Sequence, residues 1–334
     1  MASSPLDEKT VTALVTDAVK APSMHNAQPW RFRHLAARRV LRLCADLERA
    51  MPRTDPDHRA LHIGCGAALF NLRVSAAHAG FAPVTTLLPD PAEPALLAEV
   101  RLDEPGGDAR AAAEAAGLAR LHPAIRRRHT SRHPFADKEI PEDLRNALRD
   151  AAAREGADLL FAGPWHADTL LDLVRDAESR DALDPAARED LLRWTRLGAD
   201  ADVAVDGVPE YAFGPGKRGG RAPVRDFAGR RPVADRGSTA FEEVPQLAAL
   251  STRGDGPEAW LRAGQALQRV LLEATLADLA TSLTSHALET PALRLLARDP
   301  ASGTGDVQMV LRLGYGPRGP ATPRRPVRDV LDTE

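Results

Sequence analysis

A short polar stretch, KAPSMHNAQPWRF at residues 20–32, brings a hydroxyl, an imidazole and two carboxamides close together in the sequence. These groups belong to Ser23, His25, Asn26 and Gln28. Two prolines lie seven residues apart in the stretch, and each removes a backbone donor and restricts the residue before it, so the pattern predicts a shaped loop. Such a loop could bind a polar, planar ligand. The alternative is an ordinary connector that places Trp30 in the core.

A second stretch, AIRRRHTSRHPF at residues 124–135, gathers four arginines around one threonine and one serine. Guanidinium groups match phosphate oxygens in shape and charge, and neighbouring hydroxyls and amides can complete the site. Near the C-terminus, TPRRPVRDV at residues 322–330 adds three arginines that flanking prolines hold more rigidly than a disordered tail would. We therefore predict a phosphate site, with a solvated basic turn as the alternative for residues 124–135.

Other arrangements are weaker guides to chemistry. His58 and His62, like His129 and His133, lie four residues apart without a third ligand at suitable spacing, so no metal site is predicted. The segment GCGAAL at residues 64–69 is a near miss for a dinucleotide fingerprint, but helical periodicity runs through it. No nucleophile and base can be paired from the sequence, so no catalytic residue is predicted.

Composition narrows the class of protein. The chain has 334 residues, of which 43% are hydrophobic and 4% aromatic, as in an Ala/Leu-rich globule with an ample core. A net charge of −3 argues against nucleic acid or an anionic membrane as the main partner. No apolar run approaches the roughly 18 residues of a membrane span and the N-terminus lacks a signal pattern, so we expect a cytoplasmic protein. Cys44 and Cys65 form no CxxC pair and are expected to be reduced core thiols.

Hydrophobic periodicity predicts the elements that position these groups. In the first part of the chain, helices over residues 6–19, 55–80 and 108–121 accompany strands over 30–34, 40–45, 84–88 and 98–102. In the second part, helices over 141–155, 164–179, 186–197 and 257–283 accompany strands over 157–161 and 307–316. Two copies of helix, strand, long helix and strand indicate a pseudo-dimer within one chain.

Two further features refine this outline. Asp55 or Asp57 is predicted to cap helix 55–80, whose small residues around Gly64 and Gly66 suit close packing against another helix. Residues 198–240 are rich in Gly, Pro, Arg and Asp, and a segment of this length without regular structure is usually a functional lid or disordered.

The two short motifs together resemble those of a known family. PSMHNAQPWRF resembles the Pro-Ser-x-x-Asn-x-Gln-Pro-Trp signature of the FMN-dependent nitroreductase superfamily, and RRRHTSRHPF resembles its Arg-x-Ser/Thr-x-Arg phosphate motif. HIGCGAALFNL, STRGDGPEAWLRAGQALQRVLLEA and LRLGYGP resemble the Acg branch, in which both halves of the family's dimer are fused. The likeness covers most of the chain and is weakest over residues 198–240.

This resemblance implies an α+β nitroreductase-like fold in which two intertwined repeats form an intramolecular pseudo-dimer. Residues 1–121 would form the first repeat and carry the flavin-ring loop; residues 122–334 would form the second and carry the phosphate cradle, with a lid-like insertion at 198–240. The first copy lacks an arginine motif ahead of its helix, and the second has AAAREGADLLF where the loop should be. One FMN per chain is therefore expected.

The resemblance also implies roles for individual residues. The phosphate would be held by Arg128, His129, Thr130, Arg132, Arg324 and Arg325. The isoalloxazine ring would be lined by Pro22, Ser23, Met24 and Asn26, with Asn26 as the best ring-edge donor. A backbone amide near Thr284, Ser285 and His286 would reach flavin N5, although this chain lacks the Glu-Gly that many relatives use there.

The function implied is an oxidoreductase that takes electrons from NAD(P)H and reduces a nitroaromatic, a quinone or a specialised metabolite. The flavin would carry the redox chemistry, so no general base is expected. One alternative is a flavin-storage or flavin-sequestering protein with a lid over the flavin and little NAD(P)H activity. Another is a nicotinamide-only Rossmann dehydrogenase built on GCGAAL. The expected assembly is a monomer or a weak homo-oligomer.

Overall fold

The structure is a computed structural model that describes residues 6–106, 108–229, 231–303 and 305–334. The first part of the chain forms α1 (Glu8–Ala18), β1 (Trp30–Leu35), β2 (Val40–Ala45), α2 (Arg59–His78), β3 (Ala82–Leu87), β4 (Leu96–Asp103) and α3 (Ala109–Ala119). These bounds lie within a few residues of the predicted ones. A short helix, α4 (His122–Ile125), leads into the remainder.

The second part of the chain carries a longer series of elements. It begins with α5 (Glu142–Ala153), β5 (Ala157–Phe161), α6 (Pro164–Leu183) and α7 (Pro185–Arg193). Short elements follow: β6 (Thr195–Arg196), α8 (Ala199–Val203), β7 (Val208–Pro209), β8 (Gly216–Gly219) and β9 (Ser238–Ala240). The chain closes with β10 (Leu247–Thr252), α9 (Pro257–Leu276), β11 (Ala280–Thr284), α10 (His286–Glu289), α11 (Pro291–Leu296), β12 (Asp306–Gly314) and β13 (Leu331–Thr333).

Two sheets with the same internal order form the framework. One has the order β13-β1-β2-β4-β3 and the other the order β11-β12-β10-β5. Apart from β13, both sheets place the strands of their half in the order first, second, fourth, third, with antiparallel neighbours. The C-terminal strand β13 returns to the first sheet and pairs parallel with β1. The predicted α+β fold of two intertwined repeats is confirmed.

The two long helices pack closely at the centre of the molecule. A Cβ added at Gly66 would lie 2.3 Å from the Leu261 carbonyl oxygen, and one at Gly264 would lie 2.1 Å from the Ile63 oxygen. The backbones of α2 and α9 therefore approach as closely as glycine allows, as the small-residue face predicts. Because GCGAAL lies inside α2, it does not form the strand-turn-helix that a dinucleotide fingerprint requires.

Gly66→Ala is expected to destabilise the protein by about 1–3 kcal/mol because the new methyl group overlaps backbone atoms that cannot rotate away. The matched control is Gly117→Ala in α3, where an added Cβ meets nothing within 4 Å. That control should be neutral or stabilising, since alanine is the better helix former. Denaturant midpoints of the two variants measure the difference, and equal midpoints would contradict the close contact.

Several predicted boundaries need correction. The predicted helix over 257–283 ends at Leu276; Asp278 then turns the chain at a φ of 57°, and the remaining apolar residues form β11. The predicted helix over 186–197 ends at Arg193. An apolar run alone cannot distinguish a buried helix end from a buried strand. The predicted helix over 55–80 begins at Arg59, with His58 at the N-cap position. Asp55 still stabilises this end, because its carboxylate accepts hydrogen bonds from two amides of the first turn of α2, each at 2.9 Å.

Burial decides the role of two apolar features. Helix α2 is long and apolar enough to cross a membrane, with a mean hydropathy of 1.2 over 18 residues, which corrects the expectation that no such run exists. Because 89% of that window is buried inside the protein, α2 is a core helix. Cys44 and Cys65 are both buried and free, and burial raises the pKa of each thiol.

Candidate functional site

A cavity of about 140 Å³ lies where the two halves meet. Four of the chain segments that line it contain residues predicted from the sequence, and these segments are remote from one another in the sequence. They are residues 22–26, the segment that contains Arg128, Thr130 and Arg132, residues 282–286, and Thr322 with Arg324. The cavity thus gathers ten of the twelve site residues predicted from the sequence, including Pro22, Ser23, Met24, Asn26, Ser285 and His286.

The loop that forms the first wall is held in an unusual backbone conformation. His25, Asn26 and Gln28 have φ values of 47°, 57° and 55°, a region that residues with a side chain rarely adopt. The Ser23 hydroxyl accepts a hydrogen bond from the Gln28 amide at 2.9 Å and closes the loop. Non-glycine residues in this region cluster at functional sites, because surrounding contacts must hold them there.

Asn26 is fully engaged by other parts of the chain. Its Nδ2 donates to the Gly207 oxygen at 2.9 Å and to the Pro323 oxygen at 3.0 Å. Its Oδ1 accepts from Arg324 Nη1 at 2.9 Å. A carboxamide has two hydrogens to donate, so both are already committed. A hydrogen bond from Asn26 to a flavin ring would require one of these contacts to be given up.

The arginine segment runs in an extended conformation beside β11. Thr130 forms a parallel bridge with Thr281, and the Ser131 amide donates to the Thr281 oxygen at 2.8 Å. Side chains alternate along an extended chain, which explains why Arg128, Thr130 and Arg132 line the cavity. His129 lies on the other side and does not line it. Burial and the charges of Arg128 and Arg324 lower the pKa of His129 to about 4, so this imidazole is neutral at pH 7.

Three of the four arginines that line the cavity lack counter-charges among the described residues. Among the residues that the structure describes, none of Arg128, Arg132 and Arg324 pairs with a carboxylate, and Nε and Nη1 of Arg128 have no hydrogen-bond partner. Burial lowers the pKa of Arg128 and of Arg132 to about 10, and burial together with the charge of Arg128 lowers that of Arg324 to about 9. The guanidinium groups stay charged at neutral pH, so the cavity suits an anion.

The C-terminal arginines differ in their contacts. Arg324 donates to the carbonyl oxygens of Val19, Lys20 and Ala21 just beyond α1, at 2.8, 3.2 and 3.1 Å. Arg325 does not line the cavity; its Nη1 lies 3.0 Å from Asp46 Oδ2, and its amide donates to the Gln28 side chain. Arg324 therefore joins the cationic wall, whereas Arg325 holds the loop from behind.

Another wall is formed by residues 282–286, with charged groups behind it. His286 Nε2 lies 2.5 Å from Asp181 Oδ2, and the Ser285 hydroxyl donates to Glu289 Oε1 at 2.9 Å. Asp181, His286 and Glu289 place their ligand atoms close enough to hold a metal ion. The Arg225 guanidinium already lies 3.2 Å from each carboxylate, so it supplies the positive charge there.

No family model matches the sequence. Curated relatives do: "Putative NAD(P)H nitroreductase Rv3131" of Mycobacterium tuberculosis is 31% identical over 331 residues, which cover 98% of this chain and 92% of the relative. The chain belongs to the NAD(P)H nitroreductase family. "Putative NAD(P)H nitroreductase acg" of the same organism is 29% identical and covers 96% and 95% of the two chains, which confirms the assignment to the Acg branch.

Solved nitroreductases also align with this member of the family. One from Bacteroides fragilis with bound FMN aligns at 16% identity and a TM-score of 0.36, covering 61% of this chain and 92% of that one. The FMN- and NADPH-dependent nitroreductase NfnB aligns at 17% identity and a TM-score of 0.39, covering 64% and 97%. With TM-scores below 0.5 these likenesses add nothing to the family assignment, which depends on the curated relatives.

In this nitroreductase-family chain, residues 198–240 contribute one more side of the cavity. Its lining residues there are Val208, Pro223, Val224, Arg225 and Phe227. The Phe227 ring also lies 4.9 Å from the Arg132 guanidinium and contacts His25 edge-on at 5.7 Å. Phe213 packs behind it, with ring centroids 5.8 Å apart, whereas Tyr211 is half exposed and does not line the cavity. Of the three aromatic residues of the insertion, Phe227 alone meets the site.

Two cavity residues to which the family motifs assign no role are His25 and Arg225. His25 occupies a variable position of the Pro-Ser-x-x-Asn motif, so the motif gives it no weight. Arg225 lies in a segment whose sequence shows no periodicity. Burial and the charges of Arg225, His286 and Arg132 lower the pKa of His25 well below its usual value. Neither residue could be assigned to the cavity from the sequence without knowing which segments fold against the loop at 23–28.

Proposed function

We propose that this chain is an FMN-dependent oxidoreductase that holds one flavin in the cavity between its halves. One observation carries the proposal: three cavity arginines have no carboxylate partner within the described part of the chain. Buried cations without counter-charges are unfavourable, so the cavity favours a ligand with an anionic end such as the FMN phosphate. The activity named for the relatives, NAD(P)H nitroreductase, supports a redox cofactor.

Each half of the chain would contribute one end of the site. Residues 122–334 would hold the phosphate through Arg128, Thr130 and Arg132, joined by Arg324. Residues 1–121 would line the ring through Pro22, Ser23, Met24 and Asn26. The amides at Ser285 and His286 would face the reactive edge. His129 and Arg325 would act indirectly, since neither lines the cavity.

The bound flavin would supply the hydride or electron chemistry. The chain itself provides charge, shape and exclusion of water. Its unpaired guanidinium groups neutralise the phosphate, and the strained loop at 23–28 holds its shape without ligand contacts. The insertion adds Phe227 and Arg225 to the cavity lining. Preorganised contacts of this kind reduce the entropy that binding would otherwise cost.

The electron donor would be NAD(P)H, and the acceptor a small planar compound such as a nitroaromatic, a quinone or a specialised metabolite. We extend the proposal to a cytoplasmic location. We also propose that the protein acts as a monomer or a weak homo-oligomer, because the chain contains both halves of the family's dimer.

A second candidate function, flavin storage or sequestration, is favoured by a specific observation. The insertion contributes five lining residues to the cavity and is tied to the body by Arg225 and by the Asn26 contact with Gly207. A segment placed in this way could keep a nicotinamide from hydride-transfer distance. Little reduction of bound flavin by NAD(P)H would then be expected.

Cofactor stoichiometry tests the site. Purified protein is expected to be yellow and to release one FMN per chain on denaturation, because the motifs are split between the halves and not duplicated. Added FMN at 100 times its Kd should stabilise the FMN-free chain by about 2.7 kcal/mol. Two FMN per chain, or a colourless protein that FMN neither colours nor stabilises, would refute the one-site model. Anaerobic mixing with NADH or NADPH, followed by flavin absorbance, separates the enzyme from the flavin store.

A further inference from the structure

Glu178 is the one carboxylate among the described residues that line the cavity. It lies on α6 one helical turn after Val174, which is buried and also lines the cavity. Residues four positions apart share one face of a helix, so this face of α6 borders the cavity. The Glu178 side chain is exposed and forms no ion pair or hydrogen bond with another described residue. Its charge is therefore available to a ligand.

The part of α6 that carries Glu178 packs beside the wall that contains His286. Val174 belongs to the same apolar cluster as Leu288 of α10. Asp181, three residues after Glu178, lies 2.5 Å from the His286 imidazole. In the proposed FMN complex this wall would face the reactive edge of the ring. An acceptor that reaches that edge would therefore approach Glu178.

Two cations on this side of the cavity are engaged by other groups. Arg225 lines the cavity but lies 3.2 Å from both Asp181 and Glu289. Lys217 does not line the cavity, and its Nζ donates to a backbone carbonyl oxygen at 2.8 Å. Burial lowers the pKa of Lys217, and the charge of Glu178 partly offsets this effect. Neither cation forms an ion pair with Glu178, so a negative charge stays at this part of the cavity.

The three unpaired arginines form a separate, positive end of the cavity. Burial is the main cause that lowers the pKa of Arg128, Arg132 and Arg324, and no carboxylate of the described residues offsets it. Glu178 is therefore too far away to neutralise them. The cavity is polarised, so an anionic group such as a phosphate fits one end and a positively charged group fits the other.

We propose that Glu178 determines which acceptors the cavity takes, favouring cationic over anionic nitroaromatics or quinones. The inference deepens the proposed function and depends on it. A carboxylate attracts a cation and repels an anion over several ångströms, and apolar neighbours such as Val174 reduce the screening by water. Discrimination of this kind needs repulsion of the wrong ligand as well as attraction of the right one, and a single charge supplies both.

Two substitutions change the charge of this residue on an exposed helix surface. Glu178→Gln removes the charge and keeps the shape of the side chain, whereas Glu178→Lys reverses the charge. The matched control is Asp172→Asn, which removes a carboxylate from the same helix. Asp172 is 65% exposed, pairs with Arg175 and does not line the cavity. Exposed pairs of this kind contribute little to stability, so the control should fold as the parent does.

The first measurement is binding to oxidised, FMN-loaded protein without any reductant. The probes share one nitroaromatic ring and differ in charge: 4-nitrobenzoate, 4-nitrobenzyl alcohol and (4-nitrobenzyl)trimethylammonium. Changes in flavin absorbance give each Kd. The parent should bind the cation most tightly and the anion most weakly. In Glu178→Gln the Kd of the cation should rise about three- to tenfold and that of the anion should fall by a similar factor.

Two further results are expected from the same titrations. Glu178→Lys should bind the anion more tightly than the cation, and the neutral alcohol should change least in both variants. Salt at about 0.5 M should reduce the differences, because mobile ions screen a charge that is open to solvent. Asp172→Asn should keep the ligand order of the parent. A ligand order that is the same in the parent and in Glu178→Lys would contradict an electrostatic role.

The second measurement is reoxidation of dithionite-reduced, FMN-loaded protein by the same three compounds in a stopped-flow instrument. At low acceptor concentration the rates should follow the affinities, with a loss of about three- to tenfold for the cation in Glu178→Gln. If this variant keeps the parent's ratio of cation to anion in both measurements, the inference is wrong and the proposed function stands. If the parent chain does not bind FMN, the proposed function is wrong and the inference falls with it.

Discussion

Arg128→Ala should weaken FMN binding at least tenfold while leaving the fold intact. Arg128 is 3% exposed and lines the cavity, and its Nε and Nη1 have no partner within the described residues. Each charged hydrogen bond to a phosphate is worth about 1.5–3 kcal/mol, and about 1.4 kcal/mol corresponds to a factor of ten in Kd. Removing an unpaired buried cation should also slightly stabilise the FMN-free chain. Fluorescence titration with FMN and thermal denaturation measure the two effects.

Arg127→Ala is the matched control, since Arg127 lies in the same segment but is partly exposed, does not line the cavity and is paired with Asp278 at 2.9 Å. Its FMN affinity should equal that of the parent. Arg132→Ala should also weaken FMN roughly tenfold, but it additionally breaks the contact of Nη1 with the Ala212 oxygen in the insertion. Should the Arg128 and Arg132 variants both retain flavin through dialysis as the parent does, the phosphate binds elsewhere.

Arg225→Ala should raise the rate of flavin reduction by NAD(P)H about tenfold if the insertion limits access. Arg225 ties the insertion to Asp181 on α6 and to Glu289 on α10, and both ion pairs are partly buried. Losing two such pairs, each worth up to about 1 kcal/mol, shifts the balance between closed and open insertion by roughly tenfold. Anaerobic stopped-flow mixing of FMN-loaded protein with NADPH, and separately NADH, measures the rate.

The insertion offers its own control for this experiment. Arg221 also bridges the insertion to α6, through Asp168 at 2.6 Å, but both side chains are largely exposed. Arg221→Ala should therefore leave the rate unchanged. Reduction that is equally fast in the parent and in Arg225→Ala would mean that the insertion is not a lid, and the structural argument for sequestration would be lost. Replacing residues 206–231 by a short Gly/Ser linker extends the same comparison.

Much of the fold could be predicted because its signals are local. The strands at 40–45 and 157–161 have the predicted bounds, since the residue types and flanking turns already favour extended chain. The close approach of α2 and α9 follows from Gly66 and its small neighbours. The end of α9 could not be predicted, because Leu279 and the residues after it are as apolar as the helix before them. Pairing with β12 makes them a strand.

Some features of the candidate site, like some of the fold, could be predicted from the sequence, and others depend on tertiary contacts. The sequence by itself determined the family and the two motifs, and hence which arginines and which loop to examine, because motif residues lie at fixed short spacings. Only the tertiary structure decided that Arg128 and Arg324 share a wall, that Arg325 turns to Asp46, and that Asn26 is engaged by the insertion. It also brought Asp181 to His286 across 105 positions of sequence. Such contacts depend on how separate elements pack, and no local spacing encodes that packing.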